Sequence, residues 1–117
     1  MNHDVTDDDT AIALGSGDVP VLGTPRLIAW MEAATVAAAA AHLRDGQTTV
    51  GTAVRVQHRR PTPVGGRVEV TAEEPQLGGD GRMTFVVQAV DGDGKVAGVG
   101  EIDPVVVDRE GFGAPRA

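Results

Sequence analysis

The sequence has no cysteine. Disulfides, thiolate zinc sites and a cysteine nucleophile are therefore all excluded, and the chain suits a reducing cytosol. Aromatic residues are scarce: Trp30, Phe85 and Phe112, with no tyrosine. That argues against stacking platforms for single-stranded nucleic acid. Lysine is almost absent too. Arginine supplies nine of the ten basic residues, against seventeen acids, and the formal net charge is −7. So acidic a chain repels nucleic acid unless it carries a strong local basic patch. No apolar run approaches the roughly 20 residues that cross a bilayer, and the acidic start, Met1 to Asp9, lacks the apolar stretch of a secretory signal. These features point to a cytoplasmic protein with no nucleic-acid or membrane partner.

What is present is one domain's worth of helix and strand signals. Residues 1–17 read as a flexible acidic tail, residues 18–112 as a single domain, and residues 113–117 as a C-terminal tail. Asp18 to Leu22 suggests a short edge strand, since Pro20 bars a central place in a sheet. Thr24 then reads as an N-cap, with Pro25 at the first helical position. The helix continues through the run Ala37–Ala41 to about Leu43, where Asp45-Gly46 supplies a C-terminal stop. Leu27, Met31, Ala34, Ala38 and Ala41 form one stripe, and most other faces are small or apolar, so the helix is expected to be surrounded.

The rest supplies a sheet. Thr48 to His58 alternates, with Val50, Val54, Val56 and His58 sharing a face. Val68, Val70 and Ala72 follow, then Met83, Phe85, Val87 and Ala89, then Val96 to Val107. Asp91-Gly92-Asp93-Gly94 is a strong hairpin signal between the last two. Strands in this order are expected to pair as an antiparallel meander around the helix, an α+β layout. A meander leaves edges, and a two-fold pairing of copies would cover one of them.

The run Gly23-Thr24-Pro25-Arg26-Leu27-Ile28-Ala29-Trp30-Met31-Glu32-Ala33, the strand Thr48 to His58 and the turn Pro61-Thr62-Pro63-Val64-Gly65 together resemble the hot-dog thioesterases close to the fluoroacetyl-CoA thioesterase family. The resemblance covers roughly residues 20–112. It implies a hot-dog fold: one long central helix wrapped by an antiparallel sheet. It also implies a homodimer or higher oligomer with sites between subunits, and metal-free, cofactor-free hydrolysis of small acyl-CoA thioesters. Carried over residue by residue, it places the catalytic group on Thr24, Glu32 and His58, with the Gly51 amide beside it. The stretch Gly100-Glu101-Ile102-Asp103-Pro104 departs from the family pattern, placing Ile102 and Pro104 where a histidine and an arginine are usual. That departure favours an alternative reading, a hot-dog protein that binds an acyl-CoA or another small acyl ligand without cleaving it. Pro104 also lacks a ladder N–H, which points to an edge or a kink in that strand.

Each of these residues has a plainer role to set against the functional one. Glu32 at mid-helix is a candidate base or nucleophile, or a solvent-facing residue. Thr24 and Glu32 lie eight residues apart, about 12 Å along a helix. They cannot bond directly, which is a separate reason to expect a site shared between subunits. Glu32 could orient His58 as carboxylates orient imidazoles, or His58 could be purely structural. Gly51 within a strand marks a bulge or a close approach of ligand or backbone, or simple packing clearance. Arg59 and Arg60 are candidates for the CoA phosphates, or are solvated, or pair with Glu69 and Glu73. His42 reads as a helix-end charge partner. The three histidines have no metal-ligand spacing.

Overall fold

The structure is a computed structural model and describes residues 1–78 and 82–113. Its elements are β1 (Asn2–Asp4), α1 (Ala11–Leu14), α2 (Thr24–Ala39), β2 (Gln47–His58), β3 (Arg67–Ala72), β4 (Gln76–Leu77), β5 (Met83–Asp91) and β6 (Val96–Asp108). The main sheet runs β1-β3-β5-β6-β2, antiparallel throughout, with β4 added beside β5. Helix α2 packs on its inner face. None of the helices among the described residues is long and apolar enough to cross a membrane.

Leu27, Met31, Ala34, Thr35 and Ala39 of α2 are buried, against Val68, Val70, Phe85, Val87, Ala89 and Ile102 of the sheet. Fully burying a side chain such as Leu27 or Phe85 stabilises by about 1.5–3 kcal/mol. The opposite face of α2 is open: Ala29, Ala33, Val36 and Ala37 are exposed. The expectation of a surrounded helix therefore fails on one side. Alanine serves there as a helix former rather than as buried surface.

Several local signals hold. The Asp91–Gly94 hairpin closes with Asp91 N–H donating to Lys95 O at 2.8 Å, and Gly94 adopts φ +75°. The ends of α2 differ from expectation. Gly23 is its N-cap and Thr24 its first helical residue. The helix tightens into a 3-10 turn over Ala40–His42, and Gly46, at φ +81°, shapes the turn into β2 instead.

The N-terminal segment, expected as a solvated tail, is built into the fold. β1 pairs with β3, Val5 is 2% exposed, and the His3 ring stacks on Trp30 at 4.3 Å. Asp7 and Asp8 are exposed, but Asp9 is held within the fold. Arg26 pairs with Asp9 at 3.0 Å, and Asp9 accepts from the Thr6 N–H and hydroxyl. Local composition was the wrong guide because β3, Trp30 and Arg26, which hold the segment, are all more than fifteen residues away. Asp18 to Leu22 forms no strand, only single bridges of Val21 to Pro63 and Leu22 to Thr10. Residues 114–117 of the expected C-terminal tail lie outside the described residues.

The meander is only partial. β3, β5 and β6 are neighbours, but β2 crosses over to pair with β6 and becomes the far edge. β6, with Pro104, is thus interior rather than an edge. The proline is accommodated because its pairing with β5 ends at Ile102, while a bulge at Thr52 interrupts β2 beside it. The Thr52 hydroxyl donates to Asp103 O across that bulge at 3.0 Å.

Candidate active site

The bulge decides which side chains face α2. A single extra residue reverses strand parity. Before it, Thr49 and Gly51 point inward. After it, Val54, Val56 and His58 do so, opposite Ile102, Gly100 and Gly98. Val50 therefore faces outward, not inward with Val54 and Val56 as the uninterrupted alternation had suggested.

Along α2, Thr24, Ile28 and Glu32 share the stripe that meets β2. Helix and strand run in opposite senses, so two contacts form at separate heights. At one, Thr24 Oγ1 lies 2.8 Å from His58 Nδ1. At the other, a Cβ added to Gly51 would stand 2.8 Å from Glu32 Oε2 and 3.6 Å from Ile102 Cγ2. Glycine is needed at 51 because the carboxylate of Glu32 already fills that space. Glu32 is half-buried, not solvent-facing. Among the described residues no hydrogen bond joins Glu32 to His58, so within one protomer the imidazole is held by Thr24 rather than by the carboxylate.

His58 Nε2 is buried without a hydrogen-bond partner among the described residues. Burial pushes the imidazole below its ordinary value, an effect partly offset by the Arg60 main chain. The ring is accordingly neutral at neutral pH. With Nδ1 engaged by Thr24, Nε2 is the ring nitrogen left for a substrate or water. Gly98, opposite His58, allows the close approach of α2 here: a Cβ on it would meet Leu27 Cδ2 at 3.0 Å and Met31 Cε at 3.3 Å.

A cavity of about 330 Å³ opens beside Thr24 and His58. Arg59 and Arg60 lie on one wall, and Ser16 to Val19 lie on the other. That second wall includes Ser16 and Gly17, which the sequence places in the N-terminal tail. The turn residues Gly15-Ser16-Gly17 were the one local sign that the chain doubles back there. Arg60 pairs with Asp91 at 3.0 Å, not with Glu69 or Glu73. Asp91 also accepts the main-chain N–H groups of Lys95 and Asp93. The exposed Arg59 guanidinium donates to the Gln57 side-chain oxygen, at 3.0 and 3.3 Å. His42, expected to serve the helix end, lies 3.2 Å from Glu74.

The edge of β2 carries further information. Arg109 N–H donates to Gly46 O at 2.8 Å and Arg59 N–H to Ala97 O at 2.7 Å, which sets the phase of the ladder at both ends. Counting inward in twos, Thr48, Val50, Ala53, Arg55 and Gln57 bond to β6. The main-chain groups of Thr49, Gly51, Val54, Val56 and His58 then point away from it. The Gly51 N–H is thus left unused by the sheet.

Comparison with known proteins agrees with this fold. A family profile described as fluoroacetyl-CoA-specific thioesterase matches residues 5–110. The fluoroacetyl-CoA thioesterase of Streptantibioticus cattleyicolor is 37% identical over 94 residues, covering 80% of this chain and 66% of that protein, just under two thirds of its length. A solved structure of a point mutant of the fluoroacetyl-CoA-specific thioesterase FlK, in complex with fluoroacetate and CoA, superposes with a TM-score of 0.83 at 31% identity, over 96% of this chain and 93% of that one. A thioesterase-superfamily member from Thermus thermophilus gives 0.84 at 25% identity, over 97% and 83% of the two chains. A hot-dog-like protein from Thermanaerovibrio acidaminovorans, at 23% identity, shares the fold with a TM-score of 0.74, over 92% and 78%.

Proposed function

The chain belongs to the fluoroacetyl-CoA-specific thioesterase family, and from that premise we propose that it hydrolyses a small acyl-CoA thioester at a site completed by two protomers. The observation that carries this reading is the Thr24–His58 hydrogen bond at the wall of an arginine-flanked cavity. A nucleophile, base or acid needs this kind of fixed, hydrogen-bonded ring.

The two-protomer part follows from geometry. Glu32–Gly51 and Thr24–His58 are about 12 Å apart along α2 by helical rise. Both abut β2, a twelve-residue strand whose outer edge is unpaired among the described residues. A homodimer formed by antiparallel pairing of two β2 edges covers it. A two-fold axis at Arg55 pairs Val54 with the partner's Val56, both with outward main-chain groups. Pairing in this register ends at the bulge, so the Gly51 N–H stays free and the partner's His58 comes near it. Bringing two Arg55 side chains together is tolerable because each is held bidentately by Asp103, with both bonds at 2.9 Å.

In the joint site, Glu32 takes the proton of a water as its oxygen attacks the thioester carbonyl. The oxyanion is received by the free Gly51 N–H. The partner's His58 offers its Nε2–H to the substrate, and Thr24 holds that ring in its tautomer. Collapse of the intermediate breaks the C–S bond, and the proton held by Glu32 passes to the departing CoA thiolate. Arg59 and Arg60 line the approach; Arg59 meets a CoA phosphate there, and Arg60 does so with the guanidinium nitrogens that Asp91 leaves open. The cytoplasm remains the expected compartment, on the sequence grounds given above.

Release of free thiol from acetyl- to octanoyl-CoA tests the reading. Turnover of at least one short acyl-CoA is expected. No turnover, with CoA thioesters still raising the melting temperature, would instead support an acyl-CoA-binding protein, the reading that the altered 102–104 stretch favours.

The pH dependence carries a sign. The His58 imidazole is depressed below 6.5 by burial, so the neutral ring persists as pH falls through that value. kcat/KM should stay level from neutral pH through 6.5 and decline only below it. A midpoint for His58 above 6.5, read by NMR titration, would contradict this.

A further inference from the structure

The stretch Ile102-Asp103-Pro104 is resolved by strand alternation. Ile102 lies across from Val54 and Pro104 across from Gly51. Directly opposed residues of an antiparallel pair face the same side of the sheet. Ile102 and Pro104 therefore face inward, around the Glu32–Gly51 contact. Both are buried, and Ile102 Cγ2 lies 3.6 Å from the Cβ position of Gly51. Asp103 points to the opposite face. There it accepts from Arg55 and, at 2.9 Å, from the Thr84 hydroxyl. β6 thus turns its charge away from Glu32 and presents only hydrocarbon to it.

We propose that Ile102, Pro104 and Val54 form the wall that contacts the acyl group beside Glu32, and that this wall selects short neutral aliphatic acyl groups over acyl groups ending in a carboxylate. The proposal rests on the thioesterase reading of the same site. An acyl carboxylate placed here would lose its water to three side chains that cannot donate a hydrogen bond. It would also stand beside the negative charge of Glu32. The arginines offer little compensation. Arg55 is committed to Asp103 on the far face, Arg82 also acts on the Asp103 carboxylate there, and Arg60 is committed to Asp91. Arg59 sits at the Thr24–His58 cavity, on the CoA side of the bond to be cleaved. Length is limited as well, because Ile102 is fully buried and Glu32 already occupies the space at Gly51.

The test compares kcat/KM of the native protein for propionyl-CoA and malonyl-CoA, and for butyryl-CoA and succinyl-CoA. In each pair the neutral substrate should be favoured on the order of a hundredfold. Equal values, or a preference for the diacids, would overturn the proposal. If nothing turns over, the thioesterase reading fails, and the wall is judged by binding alone. A larger rise in melting temperature with propionyl-CoA than with malonyl-CoA supports it, and equal or reversed shifts overturn it. A second readout is Ile102→Ala, which should raise the hexanoyl-to-acetyl preference about tenfold by opening the wall. Ile102→Val, which removes one methylene, should move the ratio the same way by less if the alanine variant does not fold. An unchanged ratio in the folded variant would remove Ile102 from the acyl site.

Discussion

Glu32→Gln will abolish thioester turnover while the protein remains folded. The amide matches the carboxylate in size, so it continues to fill the space that Gly51 leaves. It cannot take a proton from water or act as a nucleophile. Losing a positioned acid–base group costs about 10²–10⁴-fold in rate. The loss should appear in kcat at saturating acyl-CoA, because Glu32 acts on the attacking water rather than on the CoA moiety, and the melting temperature should shift little. A variant that keeps kcat within a few-fold of the native value would remove Glu32 from the chemistry and leave it as a packing residue on a glycine.

Mixing two inactive variants will restore activity. Glu32→Gln and His58→Gln are each expected to be inactive alone. In a joint dimer, one site carries both substitutions and the other carries neither. If Glu32 works with the partner's His58, random exchange of subunits should recover about a quarter of native activity, since about half the dimers are mixed and half their sites are intact. If each site lies within one protomer, every site in the mixture holds one substitution and the mixture stays inactive. Unfolding and refolding the two together ensures exchange. Size-exclusion chromatography with light scattering gives the oligomeric state directly. A monomer that hydrolyses acyl-CoA at full rate would overturn both the shared site and the β2 pairing.

The two experiments probe different links. The first asks whether the carboxylate acts at all. The second asks where its histidine comes from. The 2.8 Å bond from Thr24 to His58, and the absence of such a bond from Glu32 among the described residues, make the second question necessary.

Much of the fold could be read along the chain because the signals were local. Pro25 and the alanine run specify a helix by backbone sterics and propensity. Asp91 to Gly94 specifies a hairpin because Gly94 can take a positive φ. Alternation specifies β5, where Met83, Phe85, Val87 and Ala89 are all buried. The candidate site was legible in part, through the resemblance carried by residues 23–33 and 48–65. Within one protomer, Thr24 meets His58 and Glu32 meets Gly51, while Glu32 and His58 stay apart.

What the sequence by itself determined was the inventory: one helix, a set of strands, no thiol chemistry, and an acidic surface with clustered arginines. Those follow from residue type and short-range spacing. The tertiary structure alone decided the order β1-β3-β5-β6-β2, the docking of the first residues onto β3 and Trp30, and the bulge at Thr52. It also decided that Gly23, not Thr24, caps the helix, leaving the threonine hydroxyl to His58. Each of these depends on contacts between distant residues, whose energy is set by pairing and packing rather than by the propensity of the segment. A one-residue bulge shows the difference most directly. Gly51 hinted at an irregularity in β2, but only the pairing with β6 shows that Thr52 is the extra residue, which turns Val50 outward and Gly51 inward while His58 stays inward.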